Sequence, residues 1–274
     1  MGRFDKIAIF TDLDGTFLGK NSKPVERNIE ALRYFLAEGG LFSLSTGRMH
    51  FGMESLVGEA LPLINCPAIL CNGTYLYDFQ NGRAVYETFM DSKMSLALVR
   101  MVEDLGLPVN IRASFVDGYL LDPGFEDGYR RLIAAGIEDV YRVPTAEWTG
   151  EGWYKLVVCG EKPCLDIVRA AVKKNFDGVF EISSSSNSLL EFQMKGINKA
   201  SGLSMAKAYL GDRDRTIYVC GDFDNDYEIL KVADVAVCPS NASDRIKSIC
   251  DHCFCSNKEG LIADLIEYIE KNAL

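Results

Sequence analysis

Ile7-Ala8-Ile9-Phe10-Thr11-Asp12-Leu13-Asp14-Gly15-Thr16 decides the architecture. The apolar run Ile7 to Phe10 reads as a buried strand, and two carboxylates at i and i+2 follow on its exit. Residues two apart on an extended backbone project to the same side, so Asp12 and Asp14 crowd two like charges. Such crowding is costly unless a cation, a proton or hydrogen bonds offset it. Gly15 permits a tight turn that frees the N–H groups around it, Thr16 included, to face an anion. The pair therefore reads as a metal and phosphate site. The same residues alone also serve as a turn that caps the next helix, so the reading depends on what stands at the other strand ends.

Outward from this strand, apolar spacing at Ile29, Leu32 and Leu36 predicts a helix over Val25 to Ala37, ended by Gly39-Gly40. Leu41 to Leu44 reads as a second strand, Phe51 to Ala60 as a helix and Ala68 to Cys71 as a third strand. This β-α-β-α-β run predicts an α/β fold with a doubly wound, Rossmann-like parallel sheet. In such sheets ligands bind beyond the carboxyl ends of the strands. Polar residues stand there each time: Ser45-Thr46-Gly47-Arg48 after the second strand and Asn72-Gly73-Thr74 after the third. A hydroxyl and a guanidinium, Thr46 and Arg48, suit phosphate oxygens.

From about Tyr75 to Leu190 the pattern changes. Hairpin signals at Gln80-Asn81-Gly82 and Asp117-Gly118 mix with strand-like runs and with helical runs at Ser95 to Leu105 and Leu165 to Phe176. Ser183 to Ser186 reads as a loop. The first pattern then returns: a helix near Lys199 to Tyr209, a strand Ile217 to Cys220, a helix from Tyr227, a strand Val235 to Val237 and a closing helix Leu261 to Lys271. Residues 1–84 and 190–274 are thus expected to form one core domain, with 85–189 inserted as an α+β domain. After Cys220 comes Gly221-Asp222-Phe223-Asp224-Asn225-Asp226. Asp12, Asp14, Asp222 and Asp226 offer hard oxygen ligands of the kind Mg2+ prefers, provided the two strands are neighbours. Lys199 is a cation able to balance these carboxylates and a phosphoryl group, and Lys195 is its rival.

Other motifs fail on spacing. Asp222 to Asp226 lacks the glycine and glutamate of an EF-hand, with Tyr227 and Ala233 in their places. Gly15 to Asn21 has three residues between its glycines instead of a P-loop's four, and no Gly-x-Gly-x-x-Gly follows the first strand. His50 and His252 have no His or Cys partner placed to share a metal, so packing or surface roles are expected.

The 274 residues suit about two domains at roughly 150 residues each. Hydrophobic content of 48% and charged content of 25% exclude disordered and collagen-like classes. The net charge of −10 is the wrong sign for a protein that spreads nucleic acid or anionic lipid over a broad surface. No window reaches the roughly 18 apolar residues of a membrane span, and no signal peptide is visible at Met1 to Lys6. Nine cysteines, several inside apolar runs, suit free thiols in a reducing cytoplasm better than a disulfide framework. Cys250 to Cys255 could be half of a zinc site, but no second ligand pair follows.

Taken in order, Asp12-Leu13-Asp14-Gly15-Thr16, Ser45-Thr46-Gly47-Arg48, Asn72-Gly73, Lys199 and Gly221-Asp222 with Asn225-Asp226 resemble the haloacid dehalogenase (HAD) superfamily. The insert resembles the C2 cap of its Cof-type phosphatases. Gly196 to Ala200 and Ser240-Asn241-Ala242 extend the likeness, while Phe223 and Thr74 depart from it. The resemblance implies a Mg2+-dependent phosphatase for small phosphorylated metabolites, hexose phosphates first and pyridoxal phosphate or another phosphomonoester behind. It implies Asp12 as nucleophile and Asp14 as general acid and base. Thr46 and Lys199 would hold the phosphoryl group, with Gly15, Thr16, Gly47, Arg48, Asn72, Gly73 and Asn225 positioning it. The metal would be held by Asp12, the Asp14 backbone carbonyl, Asp222 and Asp226. The cap would close over the site and read the leaving group. A phosphomutase and a non-catalytic phosphometabolite-binding regulator are the competing functions. Arg130-Arg131 is the nearest approach to the basic cluster that a mutase would need.

Overall fold

A computed structural model describes residues 2–211 and 214–272. The chain opens with β1 (Ile7–Thr11), α1 (Glu26–Ala37), β2 (Leu41–Leu44), α2 (Met53–Val57), β3 (Ala68–Leu70), β4 (Tyr75–Asp78) and β5 (Arg83–Glu87). Its middle carries α3 (Ser92–Asp104), β6 (Asn110–Phe115), β7 (Gly118–Leu121), α4 (Glu126–Ala134), β8 (Val140–Arg142), β9 (Trp153–Cys159), α5 (Lys162–Asn175), β10 (Phe180–Ser186) and β11 (Leu189–Met194). It closes with α6 (Lys199–Leu210), β12 (Thr216–Cys220), α7 (Tyr227–Lys231), β13 (Val235–Pro239), α8 (Asp244–Lys247), β14 (His252–Phe254) and α9 (Leu261–Asn272). Two compact units result, Met1–Tyr86 with Lys199–Leu274 and, inserted in sequence, Glu87–Asn198. Among the described residues no helix is long and apolar enough to cross a membrane.

The first unit is built on a five-stranded sheet in the order β14-β13-β12-β1-β2, parallel throughout. All five residues of β1 are buried, as expected of a central strand covered on both faces. The lateral neighbour of β1 is β12, with Thr11 level with Cys220, so the Asp12 and Asp222 exits lie side by side. One face of the sheet is covered by α1 and α9. Ile29, Leu32 and Phe35 form the buried side of α1, and Asn28 Oδ1 accepts from the Ala263 N–H at 3.1 Å. On the other face Leu203 and Ala206 of α6 and Ile229 and Leu230 of α7 pack with Phe10, Val219 and Ala236. Fully burying Phe10 alone contributes roughly 2 kcal/mol. This is the doubly wound α/β architecture.

Beyond β2 the Thr46 N–H donates to Ile69 O at 2.8 Å and carries the layer on to β3, which begins an antiparallel sheet with β4 and β5. The hairpin expected at Gln80-Asn81-Gly82 joins β4 to β5, where the Asp78 carboxylate accepts from the Gln80 and Asn81 backbone N–H groups. The helix expected over Phe51 to Ala60 is shorter. Gly58 stands at φ +50 and turns the chain into a 3-10 stretch, so regular helix ends at Val57.

The second unit holds a six-stranded sheet ordered β10-β11-β9-β6-β7-β8, antiparallel except for the β7–β8 pair. Leu98, Val99 and Val102 of α3 and Val168 and Val172 of α5 pack on one face against Ile111, Ala113, Leu156, Val158 and Phe192. One strand here runs against local expectation. Ser183 to Ser186, expected as a loop, is the second half of β10 paired with β11. Serine has little strand preference of its own, and cross-strand pairing decides instead, with Ser185 Oγ donating to Glu191 at 2.8 Å. The boundary drawn at 189/190 falls inside this pairing: β11 is bonded to both β9 and β10, so the division lies at Asn198/Lys199. Arg130 pairs with Glu126 one turn earlier on α4 at 3.0 Å, with its side chain 73% exposed. That is a solvated helix face.

Candidate active site

The Asp12 N–H donates to Cys220 O at 2.8 Å, extending the β1–β12 ladder one residue past the strand and fixing where Asp12 emerges. The backbone then turns through Gly15 at φ +84, and the Phe17 N–H returns to Asp12 O at 3.2 Å. On the neighbouring exit Asp222 is followed by a tight turn over Asp224–Asp226. Asp226 Oδ2 closes that turn by accepting from the Asp222 N–H at 3.0 Å and the Phe223 N–H at 3.2 Å. Thr16 Oγ1 donates to Asp222 Oδ1 at 2.8 Å and ties the two exits together.

Lys199 opens α6 and is fully buried. Its Nζ donates to Asp12 Oδ1 and Asp226 Oδ1, both at 2.6 Å. Lys195, its rival in the sequence, lies in the second unit and pairs with Glu181 at 2.9 Å with its own side chain 59% exposed. Carboxylate oxygens of Asp12, Asp222 and Asp226 lie within 4.8 Å of one another. One ammonium faces three acids. Burial alone would lower Lys199, but the Asp12 and Asp226 carboxylates more than offset that and hold it above its usual value. Burial, then the Asp226 charge, pushes Asp222 up to about 7. Burial is also the largest influence on Asp12 and pushes it up, with Lys199 the main influence in the other direction. A cluster with this excess of negative oxygen fits a small hard cation such as Mg2+.

Asp14 stands apart from that cluster. Its carboxylate forms a bidentate pair with Arg48, at 2.6 Å from Nε and 2.8 Å from Nη2. The sequence assigns Arg48 to phosphate oxygens; here its guanidinium is spent on Asp14. Thr46 is buried and its Oγ1 accepts from the Arg48 N–H at 3.2 Å, with Gly47 between them. Asn72, at φ +57, donates its N–H to Thr46 O at 3.0 Å, and its Oδ1 accepts from Asn225 Nδ2 at 3.4 Å. The loops after β2, β3 and β12 are thereby joined. Gly73 plays a packing part: a Cβ on Gly202 of α6 would stand 3.0 Å from Gly73 Cα, so two bare backbones let α6 approach the loop. His50 stacks on Tyr77 and shares Tyr75 Oη, the packing role expected of it.

One brace carried no assigned role in the sequence. Asn241, just past β13, donates from Nδ2 to Gly15 O at 2.8 Å, and its Oδ1 accepts from the Asn257 N–H at 3.0 Å. Its signals were its place past a parallel strand and the family likeness of Ser240-Asn241-Ala242, neither of which named a contact. The geometry around Gly15 also yields a sharp prediction. A Cβ there would lie 2.4 Å from Asp222 Oδ2 and would require a residue at φ +84. Gly15→Ala is expected to cost about 1–3 kcal/mol by chemical denaturation, and phosphate release should fall with it. An unchanged midpoint would show that the turn relaxes freely.

Sheet order and strand-end chemistry together define a doubly wound α/β domain, divided in sequence, with an acidic site at its strand exits. The particular family follows from comparison with known proteins. Residues 9–266 match the model of the haloacid dehalogenase-like hydrolases, and the chain belongs to that family. It is 25% identical over 289 residues to 5-amino-6-(5-phospho-D-ribitylamino)uracil phosphatase YwtE of Bacillus subtilis, covering 95% of this chain and 97% of that protein. Over 96 residues, 35% of each chain, it is 35% identical to pyridoxal phosphate phosphatase YbhA of Escherichia coli. The solved structure of BT4131, a sugar phosphatase of HAD subclass IIB, has the same fold at TM-score 0.81 with 19% identity, over 96% of this chain and 99% of that one.

Proposed function

We propose that this protein is a Mg2+-dependent phosphatase that hydrolyses small phosphorylated metabolites through an aspartyl-phosphate, with Glu87–Asn198 serving as a C2-type cap. The observation that carries the reading is the Lys199 ammonium held between Asp12 and Asp226 at the adjoining exits of β1 and β12. A buried lysine so placed offsets the charge of the nucleophile and of a phosphoryl group together. Asp12 attacks phosphorus, its new O–P bond forming as the bond to the leaving oxygen breaks. Asp14 gives that oxygen a proton, then takes one from the water that cleaves the aspartyl-phosphate. The Arg48 guanidinium occupies both Asp14 carboxylate oxygens, so it must release them before Asp14 can reach the leaving oxygen. Thr46 and Lys199 hold phosphoryl oxygens, and Asn72 and Asn225 keep the surrounding loops in register.

Mg2+ would be held by Asp12, Asp222, Asp226 and the Asp14 carbonyl, and when bound supplies the positive charge that lets a carboxylate approach a phosphate dianion. Binding can be read without turnover. Mg2+ is expected to raise the melting temperature of the wild type, and Asp222→Asn should lose most of that rise while remaining folded without metal. An equal rise in both proteins would place the ion elsewhere.

Sugar phosphates stand first as substrates, with pyridoxal phosphate and other phosphomonoesters behind, in keeping with the activities of the relatives. The protein's partner is then a small metabolite rather than nucleic acid or membrane, which accords with its net charge of −10. Free thiols, several of them buried, accord with a cytoplasmic setting. The test is phosphate release from a panel of sugar phosphates, pyridoxal phosphate and nucleotides, with Mg2+ and with EDTA. Magnesium-dependent release is expected. Tight binding of a phosphometabolite with no release from any member would replace the phosphatase by a mutase or a regulator.

A further inference from the structure

Cys238, Cys250 and Cys253 of the first unit have no part in this chemistry. Cys238 on β13 and Cys253 on β14 are register partners in neighbouring parallel strands, so their Cα atoms are about 4.8 Å apart and their side chains share one face. That spacing lies within the range over which two cysteines can be bridged. Cys238 is fully buried, whereas Cys253 is exposed on the outermost strand of the sheet. Cys250, partly buried, packs against the apolar cluster that contains Cys238.

We propose that Cys238 and Cys253 are a modification site, a dithiol that oxidises to a disulfide by exchange with a low-molecular-weight disulfide such as oxidised glutathione, and that the bond slows phosphate release. The exposed Cys253 thiolate attacks one sulfur of oxidised glutathione, forming a mixed disulfide and releasing one glutathione thiolate. Cys238 then attacks the Cys253 sulfur, loses its proton and releases the second glutathione. Two protein thiols are oxidised and one small disulfide is reduced. Cys250, which precedes β14 and lies outside the Cys238–Cys253 register, supplies the control position.

The route to the catalytic loop is short. Pro239 and Phe254 continue the same register, and the Ser240 N–H donates to Cys255 O at 3.3 Å. The next residue is Asn241, whose Nδ2 holds Gly15 O between Asp14 and Thr16. The Cα atoms of a disulfide most often stand about 5.5–6 Å apart, wider than neighbouring parallel strands at about 4.8 Å, so the bond strains β13 and β14 apart by up to about 1 Å. Displacements of that size at a reacting group slow turnover by large factors.

The activity readout rests on the phosphatase reading; the bond itself does not. The full chain is incubated with oxidised glutathione at about pH 8.5, which favours thiolate over more acidic conditions, and digested without reduction for mass spectrometry. The expected product is a Cys238–Cys253 cross-linked peptide. With it, kcat/KM for p-nitrophenyl phosphate should fall about tenfold and recover with dithiothreitol. Cys253→Ser should resist both changes, and Cys250→Ser should show both. A glutathione adduct on Cys253 without a cross-link, a bond to Cys250 instead, or a cross-link that leaves the rate unchanged would overturn the proposal. Should the reduced wild type release no phosphate, the phosphatase reading fails by itself. The peptide map and the Mg2+-dependent melting shift of oxidised against reduced protein then decide the thiol site.

Discussion

Asp12→Asn is expected to lower phosphate release by at least about 10³-fold while leaving the protein folded, because an amide offers no anionic oxygen to attack phosphorus. The substitution is nearly isosteric. Asn Oδ1 can still accept from Lys199 Nζ, and the backbone N–H still donates to Cys220 O, so the anchoring of the residue survives. Removing one of three crowded carboxylates also relieves repulsion in the metal-free protein. The melting temperature without Mg2+ should therefore hold or rise while turnover collapses. Trapping of a phosphorylated chain from substrate should be seen in wild type and lost in Asp12→Asn. Wild-type turnover in the variant would remove Asp12 as nucleophile and with it the aspartyl-phosphate. A fall in melting temperature equal to the loss of activity would instead mark Asp12 as a structural anion paired to Lys199.

The first unit was legible because its elements obey one periodic rule. A parallel sheet covered on both faces needs short apolar strands alternating with amphipathic helices, and Ile7 to Phe10, Leu41 to Leu44 and Ile217 to Cys220 all show it. The site was legible for a related reason. The exits of parallel strands share one edge, so Asp12, Thr46, Asn72 and Asp222 could be gathered from position alone. What the sequence left open are contacts without a period. Asp14 and Arg48 are separated by 34 positions, and nothing local says that a guanidinium placed for phosphate closes on a carboxylate instead. β10 was hidden because its four serines have turn-like composition and take their strand from β11. Lys195 and Lys199 flank one turn at Gly196, φ +84, and their fates diverge with the side of that turn on which each falls. Lys195 ends with Glu181, and Lys199 begins α6.

That divergence makes Lys199→Ala the most informative single change after Asp12. The ammonium is the only cation bonded to Asp12 and Asp226 among the described residues, and all three side chains are buried. Deleting one partner of such a cluster leaves uncompensated charge indoors, a loss of about 3–5 kcal/mol in comparable buried pairs. Part of that cost is expected to return when Mg2+ is added, since the ion neutralises the same carboxylates. The melting shift caused by Mg2+ should therefore be larger in Lys199→Ala than in wild type. Stability is only half of the effect. A phosphoryl group entering the site would meet Asp12 without the ammonium, and kcat should fall by about 10²–10³-fold even at saturating Mg2+, as for the loss of a principal transition-state donor. Lys195→Ala removes a largely exposed pair with Glu181 and should change stability by less than about 1 kcal/mol and leave kcat near wild type. Measured side by side, the two variants separate a phosphoryl-holding lysine from a surface one. The reverse pattern, with Lys195→Ala inactive and Lys199→Ala active, would leave the Lys199 cluster as a buried structural pair and transfer the phosphate contact to the other end of the turn.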